Sequence, residues 1–109
     1  MRARADPQVG IGSGDLESPG PAKVRMTVYS HLYYSLLDTL CLCMFCWGPG
    51  NLFSYQDIEQ LMKCTTGWDC TLWELMKVGE RRLNMLRAYN AREGAGREAD
   101  ALPSKFFQP

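Results

Sequence analysis

The 109-residue sequence lacks several features that define common classes of protein. Its twelve Lys and Arg balance its twelve Asp and Glu, so it offers no net attraction to nucleic acid or to an anionic membrane. The longest apolar stretch, residues 36–47, is interrupted by Asp38 and is shorter than the roughly 20 residues of a membrane span. The first residues contain no apolar signal segment. We therefore expect a cytoplasmic protein that binds neither nucleic acid nor membrane.

Motifs of self-contained active sites are also missing. There is a single His, and the sequence contains no phosphate-binding glycine loop, nucleophile elbow or HExxH zinc motif. The five cysteines are well below the fraction typical of small disulfide-rich proteins, and an odd number pairs poorly. The sequence therefore indicates free thiols in a reducing compartment rather than a disulfide framework.

The chain divides into a leader and a helical region. Residues 1–23 are rich in Gly, Pro and Ser and contain no aromatic side chain. Such a segment buries too little apolar surface to offset an ordering cost of about 1–2 kcal/mol per residue. We predict a flexible leader at 1–23 and one domain at 24–107. From Arg92 onward, glycines and prolines indicate irregular structure.

Three amphipathic segments predict an all-α fold, a small helical domain of about three helices. The first runs over about 24–40, the second follows the N-cap candidate Ser54 and ends before Gly67, and the third begins with a capping box of Thr71 and Glu74. The apolar stripe of the third helix comprises Leu72, Leu75, Met76, Gly79, Leu83 and Leu86. No segment alternates with period two. Stripes this broad on three short helices indicate a surface that packs on something larger.

The densest candidate chemistry lies in residues 38–46. Cys41, Cys43 and Cys46 fall within six residues, and thiolates are soft, anionic ligands for zinc and iron. The spacing Cys-x-Cys-x-x-Cys is not that of a self-contained cluster site, and no His follows at zinc-finger spacing. From these residues alone, two interpretations stay open: metal ligands, or small side chains that pack as hydrophobes. The same alternatives hold for Cys64 and Cys70, which flank a predicted turn.

Two charged side chains are predicted to need partners. Asp38 lies in the last turn of the first helix, where the helix dipole disfavours an anion by a few tenths of a kcal/mol. Arg82 lies beside the apolar stripe of the third helix, as does Asn90. A continuous helix would place Asp38 and Cys43 about 140° apart, so they could serve two adjacent groups if the helix breaks between them.

The stretch Leu-Asp-Thr-Leu-Cys-Leu-Cys at 37–43 resembles the Asp-x-x-Gly-Leu-Cys segment of tungsten-containing aldehyde ferredoxin oxidoreductases. Further pieces of the resemblance follow in order: Thr66-Gly67-Trp68-Asp69, Glu74-Leu75, Gly79-Glu80-Arg81, Tyr89-Asn90 and Leu102-Pro103. The resemblance covers roughly residues 26–107. It implies a fragment of the C-terminal helical domain of a much longer enzyme.

The resemblance also implies cofactors and roles. Enzymes of this family hold tungsten between two pterin dithiolenes beside one [4Fe–4S] cluster, and they oxidise aldehydes to carboxylates with ferredoxin as acceptor. By position, the cofactor-binding residues are Asp38, Leu42 and Cys43. Cys43 is the fourth cluster ligand and Asp38 accepts hydrogen bonds from a pterin. The family glycine is replaced by Cys41, which is therefore an alternative ligand. The expected partners are the upstream domains and ferredoxin, and the fragment alone should be inactive.

Two alternatives belong to other classes. One is a stand-alone metal-binding module that uses Cys41, Cys43 and Cys46 with Cys64 or Cys70. It predicts stoichiometric zinc or iron in the isolated chain. The other is a helical interaction fragment with inert thiols, which predicts no metal either alone or in a complex.

Overall fold

The structure is a computed structural model that describes residues 20–49 and 51–107. These residues form four α-helices and two 3₁₀ turns, and they contain no β-strand, so the predicted all-α fold is confirmed. The elements are α1 Pro21–Thr39, α2 Met44–Trp47, α3 Tyr55–Thr66, α4 Leu72–Arg92, and 3₁₀ turns at Arg97–Asp100 and Ser104–Phe107. Most of the predicted leader, residues 1–19, lies outside the described residues.

The first helix begins earlier than the sequence predicted. α1 starts at Pro21, inside the predicted leader, with Gly20 as its extended N-cap residue. Proline suits the first helical position because its φ is already helical and its missing N–H would have no intrahelical partner. The Gly-Pro pair that was interpreted as part of a flexible segment therefore starts a helix.

The predicted helix starts of α3 and α4 are confirmed. Asp57 accepts a hydrogen bond of 2.6 Å from the backbone N–H of Ser54, and its own N–H donates to Ser54 Oγ. Thr71 and Glu74 form the same reciprocal pair at the start of α4. The donors of Ser54 and Thr71 hold the pKa of the Asp57 and Glu74 carboxyls below their usual values. Each box satisfies N–H groups that the first turn leaves unpaired.

The core lies where α1, α3 and α4 meet. Its buried hydrophobic residues are Tyr33, Leu36, Leu37, Tyr55, Ile58, Leu72, Leu75 and Met76. The rings of Tyr33 and Tyr55 pack edge to face with centroids 4.9 Å apart. A carboxylate oxygen of Glu59 on α3 accepts the backbone N–H of Leu72 at 2.5 Å, which joins α3 to the first turn of α4.

Helices α1 and α4 approach each other closely at Gly79. A Cβ at this position would collide with the backbone carbonyl of Leu32 and lie 3.0 Å from the Leu36 nitrogen. The buried hydroxyl of Ser35 donates a hydrogen bond of 2.9 Å to the Gly79 carbonyl. Packing therefore requires glycine at position 79, because only a residue without a Cβ lets the backbones of α1 and α4 come into contact.

The second half of α4 is different. The predicted stripe is buried from Leu72 to Gly79, but Leu86 is exposed, as are Met85 and Tyr89. Arg87 binds Asp100 through two hydrogen bonds of 3.0 and 2.7 Å, which ties the first 3₁₀ turn back to α4. This exposed apolar surface agrees with the expectation of a face that packs on a larger body. None of the described helices combines the length and the apolar character that crossing a membrane requires.

Candidate functional site

The end of α1 separates Asp38 from Cys43. The N–H of Cys41 donates to the Asp38 carbonyl at 3.2 Å, and the N–H of Leu42 donates to the Leu37 carbonyl at 2.9 Å. These two bonds form a Schellman motif, which ends a helix with one residue in the left-handed region. That residue is Cys41, with φ of 55°. The helix therefore breaks between Asp38 and Cys43, which was the condition for the two residues to serve adjacent groups.

Cys41 is the only residue other than glycine with a positive φ in the described part of the chain. A side chain in the left-handed region costs about 1 kcal/mol relative to glycine. The backbone conformation at position 41 is therefore one that glycine adopts more readily than cysteine. The Cys41 side chain is exposed to solvent and its thiol is free.

Cys43 is the N-cap residue of α2 and its side chain is exposed. The nearby backbone N–H groups of Phe45 and Cys46, and to a lesser extent the Cys46 thiol, lower the pKa of Cys43 below the ordinary thiol value because they favour the thiolate. Partial burial and the neighbouring Cys43 raise the pKa of Cys46. Two neighbouring thiols are therefore unequal: one is exposed and favours the anion, and one is half-buried and favours the neutral form.

Asp38 and Arg82, which were each predicted to need a partner, bind each other. Asp38 Oδ2 accepts a hydrogen bond of 3.1 Å from Arg82 Nη1, and Arg82 also donates to Ser35 Oγ at 3.4 Å. The Asp38 side chain remains 65% exposed, and its other oxygen has no hydrogen-bond partner among the residues the structure describes. The predicted donor for Asp38 is thus the cation on α4. Asn90 needs no protein partner, because it lies on the exposed half of α4.

Leu42 lies between the two polar groups and points toward the core. It is partly buried and packs against the core cluster. Leu42 belongs to the cysteine segment, residues 41–47. Its far end is fixed by the Tyr33 hydroxyl, which donates to the Trp47 carbonyl at 2.6 Å. The cysteine segment is therefore held to α1 at both ends.

Exposed apolar side chains lie in and next to the cysteine segment, and the N–H of Leu52 donates to the Cys46 carbonyl at 3.1 Å. Phe45 is 79% exposed, Met44 is 52% exposed, and Leu52 is similarly open to solvent. Phe53 stacks on Trp47 with ring centroids 4.2 Å apart. The site is consequently an exposed thiol within an apolar surface rather than a closed pocket.

The other cysteines lie apart from this site. Cys64 is exposed on α3, and Cys70 is half-buried against the core in the turn before α4. Nowhere in residues 20–49 and 51–107 do three or more His, Cys, Asp or Glu side chains form a group that could hold a metal ion. Sequence reasoning missed α2 and the contact between Cys43 and Cys46, although the Cys-x-x-Cys spacing was available as a signal.

Fold and site define an all-α domain that displays one carboxylate and one thiol on either side of a helix end. Residues 4–109 match the family described as aldehyde ferredoxin oxidoreductase, domains 2 and 3. The chain belongs to the aldehyde ferredoxin oxidoreductase family. This match begins inside the predicted leader.

Individual relatives agree with the family. The chain is 31% identical over 88 residues to the tungsten-containing aldehyde ferredoxin oxidoreductase of Pyrococcus furiosus, and 30% identical to that of Thermococcus kodakarensis. The relative in Pyrococcus horikoshii is 28% identical. Each alignment covers 79% of this chain and 14% of the relative, so the chain spans only a small part of their length. No solved structure matches the chain significantly.

Proposed function

We propose that this chain is the part of an aldehyde ferredoxin oxidoreductase that lies between a tungstopterin and a [4Fe–4S] cluster. The complete enzyme would oxidise aldehydes to carboxylates and pass the electrons to ferredoxin in the cytoplasm. Family membership supports this class of reaction, and the names of the relatives include tungsten, aldehyde and ferredoxin. Because the chain covers 14% of those relatives, it supplies part of a shared site and is inactive alone.

The observation that carries the proposal is the thiol of Cys43. It is exposed, it lies outside the buried core at the N-cap of α2, and the neighbouring backbone N–H groups lower its pKa toward the thiolate. The thiolate is the form that binds iron, and each iron of a cubane cluster takes one cysteine. A single donor of this kind fits the role of fourth ligand, with the remaining three cysteines supplied by the upstream domains. The bound cluster would supply one-electron transfer.

Asp38 is proposed to accept hydrogen bonds from the amino-pyrimidine edge of a pterin. Its free carboxylate oxygen faces solvent, and Oδ2 is held by Arg82. A carboxylate suits a planar pair of N–H donors because its two oxygens accept side by side. Leu42 fixes the spacing between this acceptor and Cys43, since its backbone N–H and its side chain are both anchored on α1. The chain's own task is thus to hold two cofactors next to each other.

The exposed apolar surface supports docking with the upstream domains. Met44 and Phe45 follow Cys43 directly, Leu52 is hydrogen-bonded through its N–H to the Cys46 carbonyl, and all three side chains are open to solvent in this chain. Packing of a second domain on these side chains would remove apolar area from water and exclude water from the cluster. The same contact would bring the other three ligands to the exposed sulfur.

The stand-alone metal module has less support. It requires at least three ligands close together, and the part of the chain that the structure describes contains no such group. Cys64 on α3 and Cys70 before α4 do not join the cysteine segment in such a group. Metal analysis of the isolated chain after anaerobic purification distinguishes a stand-alone metal site from a shared one. Stoichiometric iron or zinc would favour the stand-alone site.

The test of the shared site is a chimera. The matching 88-residue segment of the Pyrococcus furiosus relative is replaced by the matching part of this chain, and the protein is produced anaerobically. We expect the Cys43→Ser variant to lose the electron paramagnetic resonance signal of the reduced cluster, together with its iron. The Asp38→Asn variant should retain the cluster and lose pterin and tungsten.

Matched controls come from the neighbouring thiols. Cys41→Ser and Cys46→Ser should retain both the iron content and the cluster signal, since neither sulfur is assigned to iron. A signal that survives in Cys43→Ser but disappears in Cys41→Ser would move the ligand to Cys41. A signal unchanged in all three variants would refute the assignment of a ligand to this segment.

A further inference from the structure

Cys43 has a second cysteine, Cys46, close to it in the same turn, and the proposed function gives Cys46 no role. They are three residues apart, and the backbone N–H of Cys46 donates to the Cys43 carbonyl at 3.0 Å. Both cysteines therefore belong to one turn at the start of α2, outside the buried core, and no rearrangement of the core is required to bring them together.

The backbone between the two cysteines suits a disulfide. Cys43 is the N-cap residue of α2 and Cys46 is its third residue, so both lie in one helical turn. Positions three apart in such a turn have Cα atoms about 5 Å apart, within the span of about 4.4–6.8 Å over which disulfides form. The left-handed backbone of Cys41 closes the end of α1 before this turn begins.

The two thiols differ in access. Cys43 is exposed, whereas Cys46 is half-buried beneath the turn. A small molecule in solution therefore reaches Cys43 first, and Cys46 is placed to attack a group attached to Cys43. This division corresponds to the attacking and resolving thiols of a two-step exchange.

We propose that Cys43 and Cys46 are a dithiol that closes to a disulfide by exchange with a low-molecular-weight disulfide such as oxidised glutathione. The Cys43 sulfur attacks one sulfur of the small disulfide, whose S–S bond breaks and releases one small thiol. The Cys46 sulfur then attacks Cys43 in this mixed disulfide and releases the second small thiol. The two protons of the protein thiols end on the two released thiols, so the protein loses two electrons and the small disulfide gains them.

The closed pair would withdraw Cys43 from any metal. A sulfur in a disulfide has no thiolate to donate, so ligation of iron and the disulfide exclude each other. The inference itself is independent of the iron ligand, since it concerns only the two thiols in the 109-residue chain.

The experiment uses the full chain, reduced and free of metal. It is equilibrated anaerobically with mixtures of reduced and oxidised glutathione, acidified, alkylated with iodoacetamide and digested with chymotrypsin. Cleavage after Leu42 and Phe45 separates Cys41, Cys43 and Cys46 into different peptides, so mass spectrometry identifies each linkage. We expect the free thiols to fall from five to three, with the peptides of Cys43 and Cys46 joined.

Serine variants distinguish the two roles. Cys46→Ser should stop at the mixed disulfide, with glutathione on Cys43, because the resolving thiol is gone. Cys43→Ser should leave Cys46 to react about tenfold more slowly than Cys43 does in the wild type, since its sulfur is less accessible. Cys64→Ser is the matched control and should still form the linkage. Circular dichroism at 222 nm checks that each variant retains its helices.

Three outcomes would overturn the proposal. Glutathione that remains on Cys43 of the wild type would show that Cys46 cannot reach it. A predominant link between Cys41 and either of the other two would show that the wrong pair was chosen. Five free thiols in the most oxidising mixture would show that the turn prevents closure.

Discussion

The three-helix core and the cysteine segment are stabilised in different ways. In the core, the large side chains of Leu36, Ile58 and Met76 are fully buried, and apolar burial holds the helices together. In the cysteine segment, Met44 and Phe45 are largely exposed, yet the backbone is bonded at both ends to α1. The core sequence therefore serves the fold. The exposed side chains of the segment, Met44 and Phe45, are accessible to another protein domain.

The largest expected effect is in the core, at the contact between α1 and α4. Gly79→Ala should lower the free energy of unfolding by about 3 kcal/mol, because the added Cβ meets the backbone of Leu32 and Leu36 rather than a movable side chain. Urea denaturation followed by circular dichroism measures the change.

The same substitution at Gly94 is the matched control for Gly79. Gly94 has φ of 90° and no atom within 4 Å of an added Cβ, so only backbone strain opposes alanine there. The expected loss is about 1 kcal/mol. An equal effect at the two glycines would contradict the close approach of α1 and α4.

A truncation pair tests the comparison directly. Ile58→Ala should lower the free energy of unfolding by about 3 kcal/mol, because Ile58 is completely buried among apolar neighbours. Phe45→Ala removes a larger side chain from the exposed segment and should change the free energy of unfolding by less than about 0.5 kcal/mol. If truncation of Phe45 destabilises the isolated chain as much as that of Ile58, the segment belongs to the core.

The smallest effect concerns the conformation of Cys41. Cys41→Gly should raise the free energy of unfolding by about 1 kcal/mol, since glycine adopts the left-handed region without strain. Cys64→Gly, in the last turn of α3, should lower it by up to about 1 kcal/mol because glycine is a poor helix former. Opposite signs in the same urea titration would confirm the assignment, whereas a destabilising Cys41→Gly would refute it.

The helix starts were predictable because their signals are local. The capping boxes at Ser54 and Thr71 need only a side chain and a residue three positions on, and both formed as the sequence indicated. The left-handed residues at Gly67 and Gly94 are local in the same sense. Such features are decided within one turn, so long-range packing does not override them.

Other features could not be predicted because they depend on distant contacts. α2 has four residues, too few for a periodic pattern, and it is fixed by Tyr33 and by the end of α1. The partner of Asp38 was expected as a donor, but only the packing of α4 on α1 identifies it as Arg82. The sequence placed Gly79 in the apolar stripe, but the requirement for glycine at this position comes from the Leu32 carbonyl across the interface between α1 and α4. The roles of Asp38, Leu42 and Cys43 toward cofactors stay predictions.

The tethering of residues 41–47 at both ends has an energetic consequence for assembly. A flexible loop that orders only on association gives up conformational entropy at that moment, and the affinity falls accordingly. Here the Leu42 N–H and the Trp47 carbonyl are already bound to α1. The backbone around position 43 is therefore ordered by folding, so a domain that docked there would spend less of its binding free energy on ordering this segment.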